Sequence, residues 1–142
     1  MGRLVGVDWG ARRIGLALSD ERQILAQPLA TLTRRAGKRF PMQKLLTLLD
    51  QHAAVGVIVG LPLTGEGTEG EAAQAARTLA GDIARRAHLP VELWDERLTT
   101  ARALGAVREM GGKTAGRKED LDALAATLLL QHYLDTRRGS AL

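Results

Sequence analysis

Residues Val55 to Val59 form a continuous apolar run with a helical pattern on each side. Such a run marks a strand covered on both faces, and the flanking helices are the natural covers. Before it, Pro41 opens a helix with Met42, Leu45, Leu46, Leu48 and Leu49 at helical spacing. After it, a Gly-rich loop leads into Ala72, Ala76, Leu79 and Ile83, the apolar stripe of an amphipathic helix. A central strand between two helices commits the chain to an α/β architecture.

The remaining segments fit this frame. Leu4 to Trp9 and Ile14 to Ser19 are short apolar runs separated by Gly10-Ala11-Arg12-Arg13, which reads as a hairpin. A third strand is expected over Ile24 to Thr33, with Pro28 placing it at an edge. Val91 to Trp94 is a short strand, and Thr99 or Thr100 caps a helix through Met110. A Gly- and Lys/Arg-containing loop follows to Arg117. Glu119 to Asp135 is the last helix, apolar almost all round from Leu121 to Leu130 and so expected to be buried. The order predicts a mixed five-stranded sheet flanked by helices.

A chain of 142 residues with 45% apolar content suits one domain with a real core, residues 137–142 being a short tail. No cysteine is present, which excludes disulfides, thiol catalysis and cysteine-ligated metals. No apolar run reaches the roughly 20 residues of a membrane span, and Met1-Gly2-Arg3-Leu4 shows no signal-peptide pattern, so a cytoplasmic protein is expected. The net charge is +4, and arginine supplies 16 of the 20 basic residues. Its planar fork suits phosphate oxygens, so the charge permits a nucleic-acid partner without establishing one. With four aromatic residues in all, a platform for stacking single-stranded bases is not expected.

Acidic residues in apolar settings carry the chemistry. Asp8 interrupts Val5-Gly6-Val7 near the end of the first strand. A bare carboxylate there is costly unless compensated, so it is either a turn-forming residue bonding backbone amides or a metal ligand. Asp122 lies in the last helix, with Ala125 and Ala126 on its side to let that helix lie close to the sheet. The alternative role, a first-turn acid complementing the helix dipole, suits Glu119 and Asp120 better. Asp95-Glu96-Arg97 follows the Val91–Trp94 strand. Neighbouring strand-end residues point to opposite faces, so only one of the two acids is expected to face Asp8; a solvated charge cluster is the plain alternative. Three carboxylates meeting without a counterion repel, whereas two divalent cations about 4 Å apart leave a net +1 that attracts a phosphodiester. All-oxygen ligation suits Mg²⁺ or Mn²⁺.

Other motifs carry less. The loop after Gly60 lacks the Gly-Lys-Ser/Thr ending of a nucleotide P-loop, and Thr68 with Glu71 reads as a helix capping box. His52, His88 and His132 are scattered and read as ordinary helix or surface residues. Arg12 and Arg13 beside Asp8, Arg97 beside Glu96, and Lys113, Arg117 and Lys118 before the Asp122 helix are candidate contacts to a nucleic-acid backbone.

Taken together, Val5-Gly6-Val7-Asp8-Trp9-Gly10 with Arg12-Arg13-Ile14-Gly15, then Gly60-Leu61-Pro62-Leu63, then Asp95-Glu96-Arg97-Leu98-Thr99-Thr100, then Asp122-Ala123-Leu124-Ala125-Ala126 with Leu130-Gln131, resemble the YqgF family, also called RuvX. The resemblance runs from about residue 2 to residue 136. It implies an RNase H-like fold with strand order 3-2-1-4-5. It also implies a nuclease maturing the 5′ end of pre-16S ribosomal RNA, or Holliday-junction resolvase-like activity through kinship with RuvC. By the resemblance Asp8 is the first-strand acid and Asp122 the last-helix acid. The second acid of the wider superfamily commonly ends the fourth strand, where this chain has Gly60-Leu61. Glu96, one strand further out, is the substitute, because the longer side chain spans a gap of roughly 10 Å better than Asp95, which stays open as the alternative. A non-catalytic nucleic-acid-binding or ribosome-assembly module is the competing reading. An actin-like phosphotransferase, whose first phosphate motif Asp8-Trp9-Gly10 to Gly15 also resembles, would need a second domain. A monomer or a homodimer is expected: a resolvase would need a symmetric dimer to cut two strands, whereas precursor trimming would not.

Overall fold

The computed structural model describes residues 1–9, 13–33, 40–62, 70–96 and 118–140, with the backbone alone at 118–120 and 139–140. The elements are β1 (Leu4–Trp9), β2 (Arg13–Ser19), β3 (Ala26–Thr33), α1 (Met42–Gln51), β4 (Gly56–Leu61), α2 (Glu71–Ala87), β5 (Val91–Asp95) and α3 (Lys118–Ser140). The sheet order is β3-β2-β1-β4-β5, as the resemblance implies. The β1–β2 and β2–β3 pairs are antiparallel, and the β1–β4 and β4–β5 pairs are parallel. The helix expected from Thr99 or Thr100 to Met110 and the basic loop after it lie outside the described residues.

Alternation along each strand sorts the two faces. Val5, Val7, Ile14, Leu16, Val57 and Val59 pack with Leu45 and Leu49 of α1 and with Ala76, Leu79 and Ile83 of α2. Leu4, Ala17 and Ile58 face the other way, onto Ala126, Leu130, Tyr133 and Leu134 of α3. Pro28 lies on the edge strand, as expected, at a register shift opposite Leu16 and Ala17. That irregularity absorbs the missing amide hydrogen of proline.

The structure differs from the sequence reading at several points. Arg13 belongs to β2 rather than to the turn. α2 begins at Glu71 behind Gly70, so Glu71 is the first helical residue rather than the far member of a capping box, and Thr68 lies outside the described residues. At that position Glu71 complements the helix dipole instead. α3 continues through Ser140 rather than yielding a tail from 137. Arg137 and Arg138 sit in its last turn, where cations meet the negative end of the dipole. Arg137 also lies over the Tyr133 ring, 5.5 Å from its centroid. Finally, α3 is not buried all round: Leu124 is 40% exposed, because the helix presents one face to the sheet and turns its opposite side to solvent.

The few aromatic residues are spent on packing. Trp9 stacks on Phe40 at 5.5 Å, and Trp94 meets Tyr133 edge-on at 5.1 Å while donating a hydrogen bond to His132 Nδ1. His52 and His88 close α1 and α2 at their C-termini.

The turn from β2 to β3 hangs on Asp20, whose carboxylate accepts hydrogen bonds from the Ile24 and Leu25 amides at 2.7 and 2.9 Å. The Leu25 amide first, then that of Ile24, holds this carboxyl below its ordinary value of 3.8. A depressed folded-state value stabilises the fold above the unfolded-state value, and that contribution fades as pH falls through the folded one. Asp20→Ala is expected to lower the urea midpoint at neutral pH. The gap to wild type should narrow as both are taken below pH 3.8.

Candidate functional site

Asp8 stands at the carboxyl end of β1 on the face covered by α3, and its carboxyl-bearing residue is 7% exposed. Its register partner in β2 is Gly15. On the other side, β1 and β4 pair through Val7 and Val59, and one step further brings Asp8 beside Gly60. Two glycines therefore flank the buried acid, and the space each leaves is taken by another acidic residue.

At Gly15 the occupant is backbone. A Cβ there would overlap the Asp122 carbonyl and stand 3.1 Å from the Ala123 nitrogen. Helix α3 rests directly on β2 at this point, with Asp122 itself 3% exposed. Ala125 and Ala126, both fully buried, allow the approach. Gln131 fastens the same helix to the chain entering β3: its Oε1 accepts from the Ala26 amide at 2.8 Å and its Nε2 donates to the Ile24 carbonyl at 2.9 Å.

At Gly60 the occupant is a side chain. A Cβ there would collide with Oε1 of Glu96 and lie 3.0 Å from its Cγ and Cδ. Glu96 follows the end of β5 and reaches back over β4, on the face where Asp8 lies. Asp95 pairs with Leu61, on the face of the α1 and α2 core. Of the two neighbouring acids, Glu96 is thus the one that shares a face with Asp8.

Asp122 is ion-paired. Arg13 donates from Nε to its Oδ2 at 2.5 Å, with the acid side chain 5% and the arginine side chain 29% exposed. Arg13 and Gly15 are two residues apart in β2 and share the α3 face, which aims the guanidinium at the acid seated on Gly15. Among the described residues, no three His, Asp or Glu side chains are drawn together into a ready metal cage. Of the basic residues expected to contact nucleic acid, Arg12, Arg97, Lys113 and Arg117 lie outside the described residues, Lys118 is described in its backbone alone, and Arg13 is the one whose side chain is described.

Sequence reasoning did not identify Gly15 and Gly60 as seats or Arg13 as the partner of Asp122. The signal was present. A glycine inside a strand marks a close approach of another group, and Arg13 has the same strand parity as Gly15.

The RuvX family model, described as a Holliday junction resolvase, matches residues 2–136. A protein of Mycobacterium ulcerans named "Putative pre-16S rRNA nuclease" is 46% identical over 142 residues, covering 99% of this chain and 82% of its own. A protein of Lachnospira eligens with the same name is 36% identical over 138 residues, covering 96% of this chain and 99% of its own. Among solved structures, Thermus thermophilus RuvC in complex with a Holliday junction substrate superposes with a TM-score of 0.58 at 19% identity, covering 98% of this chain and 97% of that one. That likeness shows the fold, which is the RNase H-like architecture the resemblance implies. The match along the chain and the identity to these relatives together place it: the chain belongs to the RuvX family.

Proposed function

We propose that this chain is a divalent-metal-dependent nuclease that hydrolyses phosphodiester bonds in structured nucleic acid, with the 5′ region of precursor 16S rRNA as its substrate in the cytoplasm. The observation that carries the reading is the arrangement around Asp8: one flanking glycine seats the Asp122 backbone and the other cradles the Glu96 carboxyl. A sheet that gives up two side chains beside a buried acid is built to bring further acids to it. The relatives' names and the family description support the substrate class. Among the described residues, no helix is long and apolar enough to cross a membrane.

The donor set fits a hard cation: Asp8, Glu96 and Asp122 offer carboxylate oxygens alone, the ligation that Mg²⁺ and Mn²⁺ favour. A pair of such ions bound there would neutralise the acids and polarise the phosphodiester and the attacking water. Asp8, on a rigid central strand, supplies the fixed donor between the other two. Glu96 brings its carboxyl across from beyond β5, and the absence of a side chain at Gly60 gives it room. Asp122 closes the site from the helix, held by the Gly15 contact and the Arg13 ion pair. Arg12, Arg13, Arg97, Lys113, Arg117 and Lys118 are the proposed contacts to the nucleic-acid backbone.

The test is cleavage of a precursor 16S rRNA fragment and of four-way junction DNA, with Mg²⁺ or Mn²⁺ and with chelator. Cleavage is expected with metal and not with chelator, and Gly60→Ala is expected to lower the rate at least about tenfold by evicting the Glu96 carboxyl, equivalent to roughly 1.4 kcal/mol. Its melting temperature should stay close to wild type, because the displaced group is the far end of a flexible side chain. Metal-independent cleavage, or full activity in Gly60→Ala, would overturn the assignment. The second reading, a non-catalytic RNA-binding or assembly module, draws on the lack of a preassembled cage among the described residues. It predicts salt-sensitive RNA binding with no turnover under any metal condition. Junction cleavage in place of rRNA cleavage would point to a resolvase acting as a homodimer.

A further inference from the structure

Arg13 stands in a position that the proposed metal chemistry does not itself require. Asp122 is a buried carboxylate on a helix pressed against β2, one strand from the buried Asp8. Glu96 adds a third acid on the same face. Such a set folds in the absence of metal only if something offsets its charge, because buried like-charged carboxylates repel and each resists desolvation. Arg13 supplies a cation at Asp122 Oδ2, 2.5 Å away, from a strand position two residues before the glycine on which Asp122 is seated.

The oxygen that Arg13 holds is one of the two that Asp122 can offer to a metal. An ammonium or guanidinium and a divalent ion cannot both sit in the same lone-pair direction of one carboxylate oxygen. We infer that Arg13 is a resident cation of the site, a positioning residue that holds Asp122 ready in the metal-free protein and is displaced from Oδ2 when a divalent ion binds. Displacement leaves a guanidinium at the rim of the site, where its side chain is already 29% exposed and can turn outward toward a phosphate oxygen. This inference rests on the proposed metal reading of Asp8, Glu96 and Asp122.

The experiment measures Mn²⁺ affinity by calorimetry and melting temperature with chelator or with saturating Mn²⁺, for wild type, Arg13→Ala and Arg13→Gln. Gln keeps a donor to Asp122 and removes the charge, so it covers the case in which Ala fails to fold. Both variants are expected to bind Mn²⁺ about tenfold more tightly than wild type. They should melt lower in chelator and recover most of that deficit with Mn²⁺, since a ligand that binds the folded state more tightly stabilises it more. A purely structural Arg13 would instead give the same melting deficit with and without Mn²⁺ and an unchanged affinity, and that result, or weaker Mn²⁺ binding by the variants, would overturn the inference while leaving the metal site standing. No Mn²⁺ binding by wild type would overturn both.

Discussion

Asp8→Asn is expected to reduce metal-dependent cleavage on the order of a thousandfold, the equivalent of roughly 4 kcal/mol in the barrier. The substitution keeps the shape of the side chain and removes the charge of the proposed central donor. Asp8 lies between Gly15 and Gly60, so among the described residues its neighbours across the sheet carry no side chain that could replace it. The fold should survive, because asparagine matches aspartate in size and shape at this buried position. Single-turnover cleavage measured beside thermal melting separates the two effects. A variant that melts at or above the wild-type temperature and still cleaves normally would refute the assignment of Asp8.

Gly15→Ala should have the largest effect on stability of any single methyl added to the sheet, about 3 kcal/mol or more in urea unfolding. The new Cβ would meet the Asp122 carbonyl and the Ala123 nitrogen, which are helix backbone and cannot rotate aside. Relief requires α3 to lift from the sheet, which loosens the packing of Ala126 and Leu130 as well. The comparison with Gly60→Ala is informative because both place one methyl beside Asp8, yet one strikes backbone and the other a mobile carboxyl. Equal urea midpoints for the two variants would show that α3 does not bear on Gly15 as described.

Much of this arrangement is legible in the chain before any coordinates. The apolar run from Val55, the helical spacing around it and the hairpin runs of β1 and β2 give the layers and the antiparallel start, since each is a local pattern of period 2 or 3.6. Asp8 and Asp122 stand out as acids in apolar surroundings, and both are buried. The order of strands and the identity of Glu96 came from family resemblance and strand spacing, because which strand lies beside which is a non-local matter. The charge partner of Asp122 was not legible: residues 13 and 122 are far apart in sequence, and only the packing of α3 across β2 makes them neighbours. The helix continues past Asp135 to Ser140, and there Arg137 lies over Tyr133, a contact that composition does not announce.

Helix α3 bears on the sheet at two places where the strand beneath it is glycine and offers no side chain. Gly15 receives the backbone at Asp122, and Gly6 receives the helix between Ala126 and Leu130. These supports lie roughly 6–12 Å apart along the helix axis, at 1.5 Å per residue. A rod carried at two points has a fixed direction, and Asp122 sits on one of the bearings rather than out on the span. Sequence drift or thermal motion at the distal end of the rod, near Arg137, is therefore taken up beyond the second support and leaves the acid nearly still. The molecule can tolerate change along its longest element while its most position-sensitive carboxylate keeps its place.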